Sequence, residues 1–128
     1  MFESPEVMGM ASALARNAGV RLGAIAENVA NADTPGYRAK DGKPFADVYG
    51  AGPGLSLRAT RPGHVQGAAG ESLTAISDRA GGHMSPNGNN VSLEGEMVAA
   101  ADVRRDHDLA LTIYKTSLGI LRASLGRR

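Results

Sequence analysis

From residue 11 to residue 37 the chain reads ASALARNAGVRLGAIAENVANADTPGY. Within it Ala11, Ala15, Ala18, Leu22, Ile25, Val29 and Ala32 follow one another at alternating spacings of four and three. That period draws a single apolar stripe along an α-helix. Arg16, Arg21 and Glu27 fall off the stripe. The stripe is small at its start and bulkier later, so a second helix can approach closely near residues 11–18. Gly19 and Gly23 each cost about 1 kcal/mol against alanine in a helix. The helix therefore depends on packing to form fully. Its stop is explicit. Thr34 precedes Pro35 and is pushed out of helical space. Pro35 and Gly36 then suit the two central positions of a type II turn, with Gly36 supplying the positive φ. The stretch predicts a first helix over residues 8–32 and a sharp redirection over residues 31–37.

A second helix is predicted over residues 91–126. Asn90 or Ser92 can cap it, and Glu94 and Glu96 favour the positive end of its dipole. Leu93, Met97, Ala100, Leu111, Tyr114, Leu118, Leu121 and Leu125 lie on another heptad stripe, interrupted only by Arg104 and His107. Such a helix is roughly 52 Å long at 1.5 Å per residue. A compact globule of this chain length is only about 36 Å across. The molecule is therefore expected to be elongated or built to lie against copies or partners, and a coiled-coil assembly is the natural place for its stripes to finish their burial. The competing arrangement is an intramolecular pair with a fold at residues 104–107.

Between the helices, residues 33–90 hold 11 of the 17 glycines and five of the six prolines. Glycine and proline punctuate regular structure, so this middle is expected to be irregular with short strands. Residues 55–60 alternate in the two-residue period of a half-buried strand, and residues 73–76 do so more weakly. The fold class is thus mainly α. Two long amphipathic terminal helices form a coiled-coil-like hairpin around a small irregular, β-containing middle, as one domain over residues 1–128.

Composition bounds what such a chain does. It has 128 residues, enough for one modest domain. Of its 54 apolar residues 21 are alanine, and only five residues are aromatic, so the core must be thin. A net charge of +1 argues against a general nucleic-acid binder, which needs a basic surface. The absence of cysteine excludes disulfides and thiolate chemistry. No stretch approaches a membrane-spanning length, and no cleaved secretory signal is expected. The three histidines, His64, His83 and His107, share no close metal-ligand spacing. The glycine-rich run at residues 50–54 lacks the strand, helix and Gly-Lys ending of a phosphate loop. No catalytic, metal or cofactor site is predicted.

The run Ala-Glu-Asn-Val-Ala-Asn-Ala-Asp-Thr-Pro-Gly-Tyr-Arg-Ala-Lys-Asp at residues 26–41 resembles the N-terminal motif of bacterial flagellar rod and hook proteins. Phe45, then Thr60 through His64 and Val65, fit the same family in order. So does Pro-Asn-Gly-Asn-Asn-Val-Ser-Leu-Glu-Gly-Glu-Met at residues 86–97, the lead-in to the C-terminal helix. The Asp-Thr-Pro-Gly-Tyr form and the short chain are closer to proximal rod members than to distal rod and hook members, which carry larger central domains. Val103 and His107 depart from the family, which often has Asn and usually Tyr at those places.

The resemblance implies a non-enzymatic subunit of the flagellar basal body that serves motility. It implies passage through the flagellar type III export apparatus without signal cleavage, and assembly in the rod across the periplasmic space. The implied partners are other rod proteins, further copies of the chain and the rod-base adaptor FliE, with no cofactor, nucleic acid or membrane span. Asn28, Asn31, Ala32, Asp33, Thr34, Pro35, Gly36 and Tyr37 would form the bend after the first helix. Asn28 lies off the apolar stripe and shows no role inside a monomer, so the bend is also expected to touch neighbouring subunits. The expected assembly seam comprises Ala15, Ala18, Leu22, Ile25 and Val29 with Leu93, Met97, Ala100, Leu111, Tyr114, Leu118, Leu121 and Leu125. A soluble helical adaptor associated with export is the alternative reading, and a small metal-dependent enzyme a third.

Overall fold

A computed structural model describes residues 3–50, 75–82 and 84–126. Two long helices dominate it. The first, α1, spans Glu3–Ala30 and the last, α3, spans Leu93–Ser124. At 28 and 32 residues they are about 42 and 48 Å long. Between them lie strand β1 (Lys40–Gly42), the short helix α2 (Phe45–Gly50) and strand β2 (Ile76–Asp78). The strands pair antiparallel, with Lys40 opposite Asp78 and Gly42 opposite Ile76. The expected strand at residues 55–60 lies outside the described residues. Of the weaker candidate at 73–76, only Ile76 falls in a described strand, where it opens β2.

Both helix ends follow from local chemistry. The Ser92 Oγ accepts a hydrogen bond from the Gly95 N–H at 3.3 Å, so Ser92 rather than Asn90 is the cap of α3. At the end of α1, the Thr34 carbonyl accepts from the Tyr37 N–H at 3.3 Å, and Gly36 has φ +72°. These are the bond and the backbone sign expected of the Pro35–Gly36 turn. The first helix starts at Glu3 and ends at Ala30, earlier at both ends than residues 8–32. Residues 31–36 leave the helix in successive turns: the Asn31 and Ala32 N–H groups still donate to carbonyls of α1, the Thr34 N–H donates to the Asn31 carbonyl, and the Gly36 N–H donates to the Asn87 carbonyl outside the helix.

The helices pack through a thin core of Ala18, Ile25 and Val103, against which Leu22, Ala99 and Ala100 rest. On α3 the buried residues are Glu96, Val103, Ala110 and Ser117, at intervals of seven. This is not the stripe read from the sequence. Leu93, Met97, Leu111, Tyr114 and Leu125 are all exposed, and Ala100, Leu118 and Leu121 are half-buried. The reason is size. Ala11 and Ala18 on α1 let the helix backbones come close, and beyond Glu96 the buried line of α3 carries Val103, Ala110 and Ser117, none bulkier than valine. The bulky stripe is turned to one flank of that contact. Helix α3 runs without interruption through residues 104–107, so the folded-over alternative does not hold.

Candidate functional site

The two signature segments, residues 26–41 and 86–97, meet where α1 ends and α3 begins. Asn28 is completely buried on the last turns of α1. Its Nδ2 donates to the Lys40 carbonyl at 2.7 Å and to Glu96 Oε2 at 3.1 Å. Its Oδ1 accepts from the Lys40 N–H at 2.8 Å and from the Tyr37 hydroxyl at 3.2 Å. A carboxamide offers two donors and two acceptor sites, and here all four are used. The expectation that Asn28 has no role inside the monomer is therefore wrong. Asn28 leaves the apolar stripe because it faces β1 and the polar first turn of α3.

Glu96 is also completely buried. Its second oxygen, Oε1, accepts from Arg79 Nη1 at 2.7 Å, and Arg79 Nε lies 3.7 Å from Asp41. An unpaired charge in that position would be strongly destabilising, and the guanidinium supplies the compensation. Arg79 follows β2 directly, and its N–H donates to the Ala39 carbonyl at 2.7 Å. The ion pair thus fastens the two-stranded sheet to the first turn of α3. Glu96, read from sequence only as a dipole partner, is the carboxylate around which this end is built.

A second set of bonds ties residues 85–91 to the bend. Asn89 Nδ2 donates to the carbonyls of Asn31, Ala32 and Thr34 at 2.9, 2.8 and 2.9 Å. Those carbonyls follow a helix end and have lost their regular partners. Asn89 Oδ1 accepts from the Val91 N–H at 2.7 Å. Asn90 Oδ1 accepts from the Ala39 N–H at 2.6 Å, and the Gly36 N–H donates to the Asn87 carbonyl at 2.9 Å. One asparagine thus closes α1 from a point 55 to 58 residues further along.

Of the remaining bend residues, Asn31 donates to the Glu27 carbonyl at 2.8 Å and accepts from the Thr34 hydroxyl at 3.3 Å. Asp33, Thr34, Pro35 and Gly36 are exposed at the tip, and Ala32 is half-buried. Lys40 forms an exposed ion pair with Glu27. Burial, and next the nearby Glu27 charge, push the Tyr37 hydroxyl above its ordinary pKa. The hydrogen bond to Glu27 holds Lys40 above its own.

Of the expected seam on α1, Ala18 and Ile25 are buried, Ala15 and Leu22 half-buried, and Val29 exposed. Val103 sits in the core, and His107 is half-buried with Nδ1 3.9 Å from Asp108. His64 and His83 lie outside the described residues. Among the described residues no three of His, Asp and Glu gather as a metal ion requires. Asn89 and Arg79 were not singled out in the sequence as structural residues, and Asn90, offered there as a helix cap, instead holds the Ala39 N–H. The signal for Asn89 and Asn90 was their pairing just ahead of a helix cap. For Glu96 it was a seven-residue spacing shared with Val103, Ala110 and Ser117.

Residues 10–38 match the model of a family described as flagella basal body rod protein. Over 115 residues the chain is 30% identical to the flagellar basal body rod protein FlgB of Agrobacterium fabrum, covering 87% of this chain and 86% of that relative. The family match begins within α1 and ends one residue past Tyr37, so it takes in both the helix and the bend.

Proposed function

The chain belongs to the flagellar basal body rod protein family, and we infer from this that the exposed stripe of α3 is the surface by which it packs against its neighbours. The protein is a structural subunit of the flagellar rod and serves flagellum-dependent motility. One observation carries the assignment of the surface. The helix pair is already closed by Glu96, Val103, Ala110 and Ser117, yet Leu93, Met97, Leu111, Tyr114 and Leu125 remain exposed along one flank. Apolar side chains in a row on a long helix are the pattern that knobs-into-holes packing buries.

The subunit takes its place in the proximal rod, in the periplasmic space. Its neighbours there are copies of itself, other rod proteins and the rod-base adaptor FliE. It arrives through the flagellar type III export apparatus without loss of a signal segment. No described helix is long and apolar enough to cross a membrane. Val29 on α1 and the exposed tip at residues 33–36 extend the same contact surface.

Deleting the gene and restoring it with a Leu111→Asp variant tests the reading. Electron microscopy of envelope preparations should show membrane rings without rods. The purified variant should keep the helical circular dichroism of the parent, because Leu111 is exposed in the monomer. Normal rods from the variant would remove α3's exposed stripe from the assembly surface. Secreted protein that never enters basal bodies containing normal rods would favour the adaptor reading.

A further inference from the structure

We propose that Asn87 is a site of spontaneous covalent modification, open in the unfolded chain and shut by the knot of hydrogen bonds that ties residues 85–91 to the bend. The chain has six asparagines, and only Asn87 is followed by glycine. In an extended chain the deprotonated main-chain nitrogen of Gly88 attacks Cγ of the Asn87 side chain. A carbon–nitrogen bond forms, the side-chain carbon–nitrogen bond breaks and ammonia leaves with the proton. Water then opens the resulting cyclic imide at one of its two carbonyls, giving aspartate or isoaspartate. Glycine permits this because no Cβ shields its nitrogen.

In the fold both reacting groups, and the main chain that joins them, are held by hydrogen bonds. The Gly88 N–H donates to the Ser85 carbonyl at 2.9 Å, which ties up the nucleophile's proton. Asn87 Oδ1 accepts from the Asn89 N–H at 3.0 Å, which holds the side chain in an Asx-type turn that it must leave to rotate freely. The Asn87 carbonyl accepts from the Gly36 N–H at 2.9 Å, which holds the main chain of Asn87 in place. Pro86 and Asn87 form the centre of that turn, and no residue in it except Gly88 has a positive φ. Ring closure must break these bonds, so its rate follows the opening of the knot although Asn87 is solvent-exposed.

The product matters because of where it falls. Isoaspartate routes the main chain through the former side chain and adds one carbon to its path. That displaces the Asn87 carbonyl from Gly36 and moves Asn89 off the three carbonyls it caps. A chain modified before folding therefore cannot close its own bend.

The test holds purified protein at mildly alkaline pH, folded in buffer and unfolded in guanidinium, and follows all six asparagines by peptide mass spectrometry. Asn87 should convert first in the unfolded chain, and at least about tenfold more slowly in the folded one. A Gly88→Ala variant, compared only in guanidinium, should slow Asn87 to the pace of the other five. The isoaspartate fraction, isolated by ion exchange and returned to buffer, should unfold at lower urea than the unmodified protein. Asn87→Asp, which keeps the normal main chain and an acceptor for Asn89, should stay close to the parent. Equal rates in folded and unfolded protein would overturn the proposal, and so would another asparagine leading in guanidinium.

Discussion

Asn28 and Glu96, 68 residues apart in the chain, meet at 3.1 Å inside the closed end of the helix pair. Neither is apolar and both are completely buried. Between them they hold β1, Tyr37 and Arg79, so this contact joins the ends of the two long helices to the small sheet.

Replacing Asn28 by alanine should be costly. It strands the Lys40 amide and carbonyl, the Tyr37 hydroxyl and one Glu96 oxygen at once. Each stranded buried group costs about 1–3 kcal/mol, with partial relief from water, so a loss of about 3 kcal/mol is expected. Urea denaturation with an unchanged slope measures it. A loss under about 0.5 kcal/mol would mean the asparagine is dispensable to the fold, as for an ordinary surface change.

Arg79→Met should remove about 2 kcal/mol, less than a fully buried pair loses because the arginine is 30% exposed. The loss comes from the Glu96 carboxylate left without a cation. Combining it with Glu96→Leu should recover most of that, because no buried charge then remains. Additive losses in the double variant would contradict a direct coupling between the two side chains.

Gly42 lies in β1 where a Cβ would stand 2.8 Å from Cγ of Arg21. That atom is close to the α1 backbone and has little room to yield. Gly42→Ala should cost about 1–2 kcal/mol through overpacking. Adding Arg21→Ala should restore much of it. A thermal melt of the three variants decides the matter, and an unaffected single variant would show that β1 shifts freely.

The raised pKa values of Tyr37 and Lys40 set an alkaline limit. Folding favours the protonated form of each group, so the folded protein binds more protons than the unfolded one in that range. Their contribution is fully present below the ordinary values of 10.0 and 10.5 and is lost as pH rises through the higher folded ones. Melting temperature should therefore fall above about pH 10, and fall less steeply in Tyr37→Phe. Identical alkaline slopes in parent and variant would show that Tyr37 does not contribute.

The chain's ends were readable because their signals are local. Thr34, Pro35 and Gly36 stop α1, and Ser92 starts α3, each through neighbours within a few residues. The apolar stripe of α1 also located its core side, through Ala11, Ala18 and Ile25. The side of α3 that closes the pair was not readable from apolar period alone. Its buried line includes Glu96, Ala110 and Ser117, whereas the bulkier period beside it points outward. Asn28 was misread for a related reason, since its partners lie 9, 12 and 68 residues away. Strand β1 has no apolar alternation, and its place comes from Asn28, Asn90 and Arg79 rather than from its own side chains.

The alanine-lined contact between α1 and α3 interdigitates shallowly, so by itself it resists lengthwise sliding poorly. The Asn28–Glu96 contact supplies what it lacks, acting as the zero mark of a ruler laid along α3. From that mark Leu118 stands about 33 Å away at 1.5 Å per residue. A slip of one helical turn would carry every outward-facing leucine about 5.4 Å out of step with a neighbouring copy. Small polar groups at one end thus set the pitch at which bulky apolar groups present themselves along the whole length of the subunit.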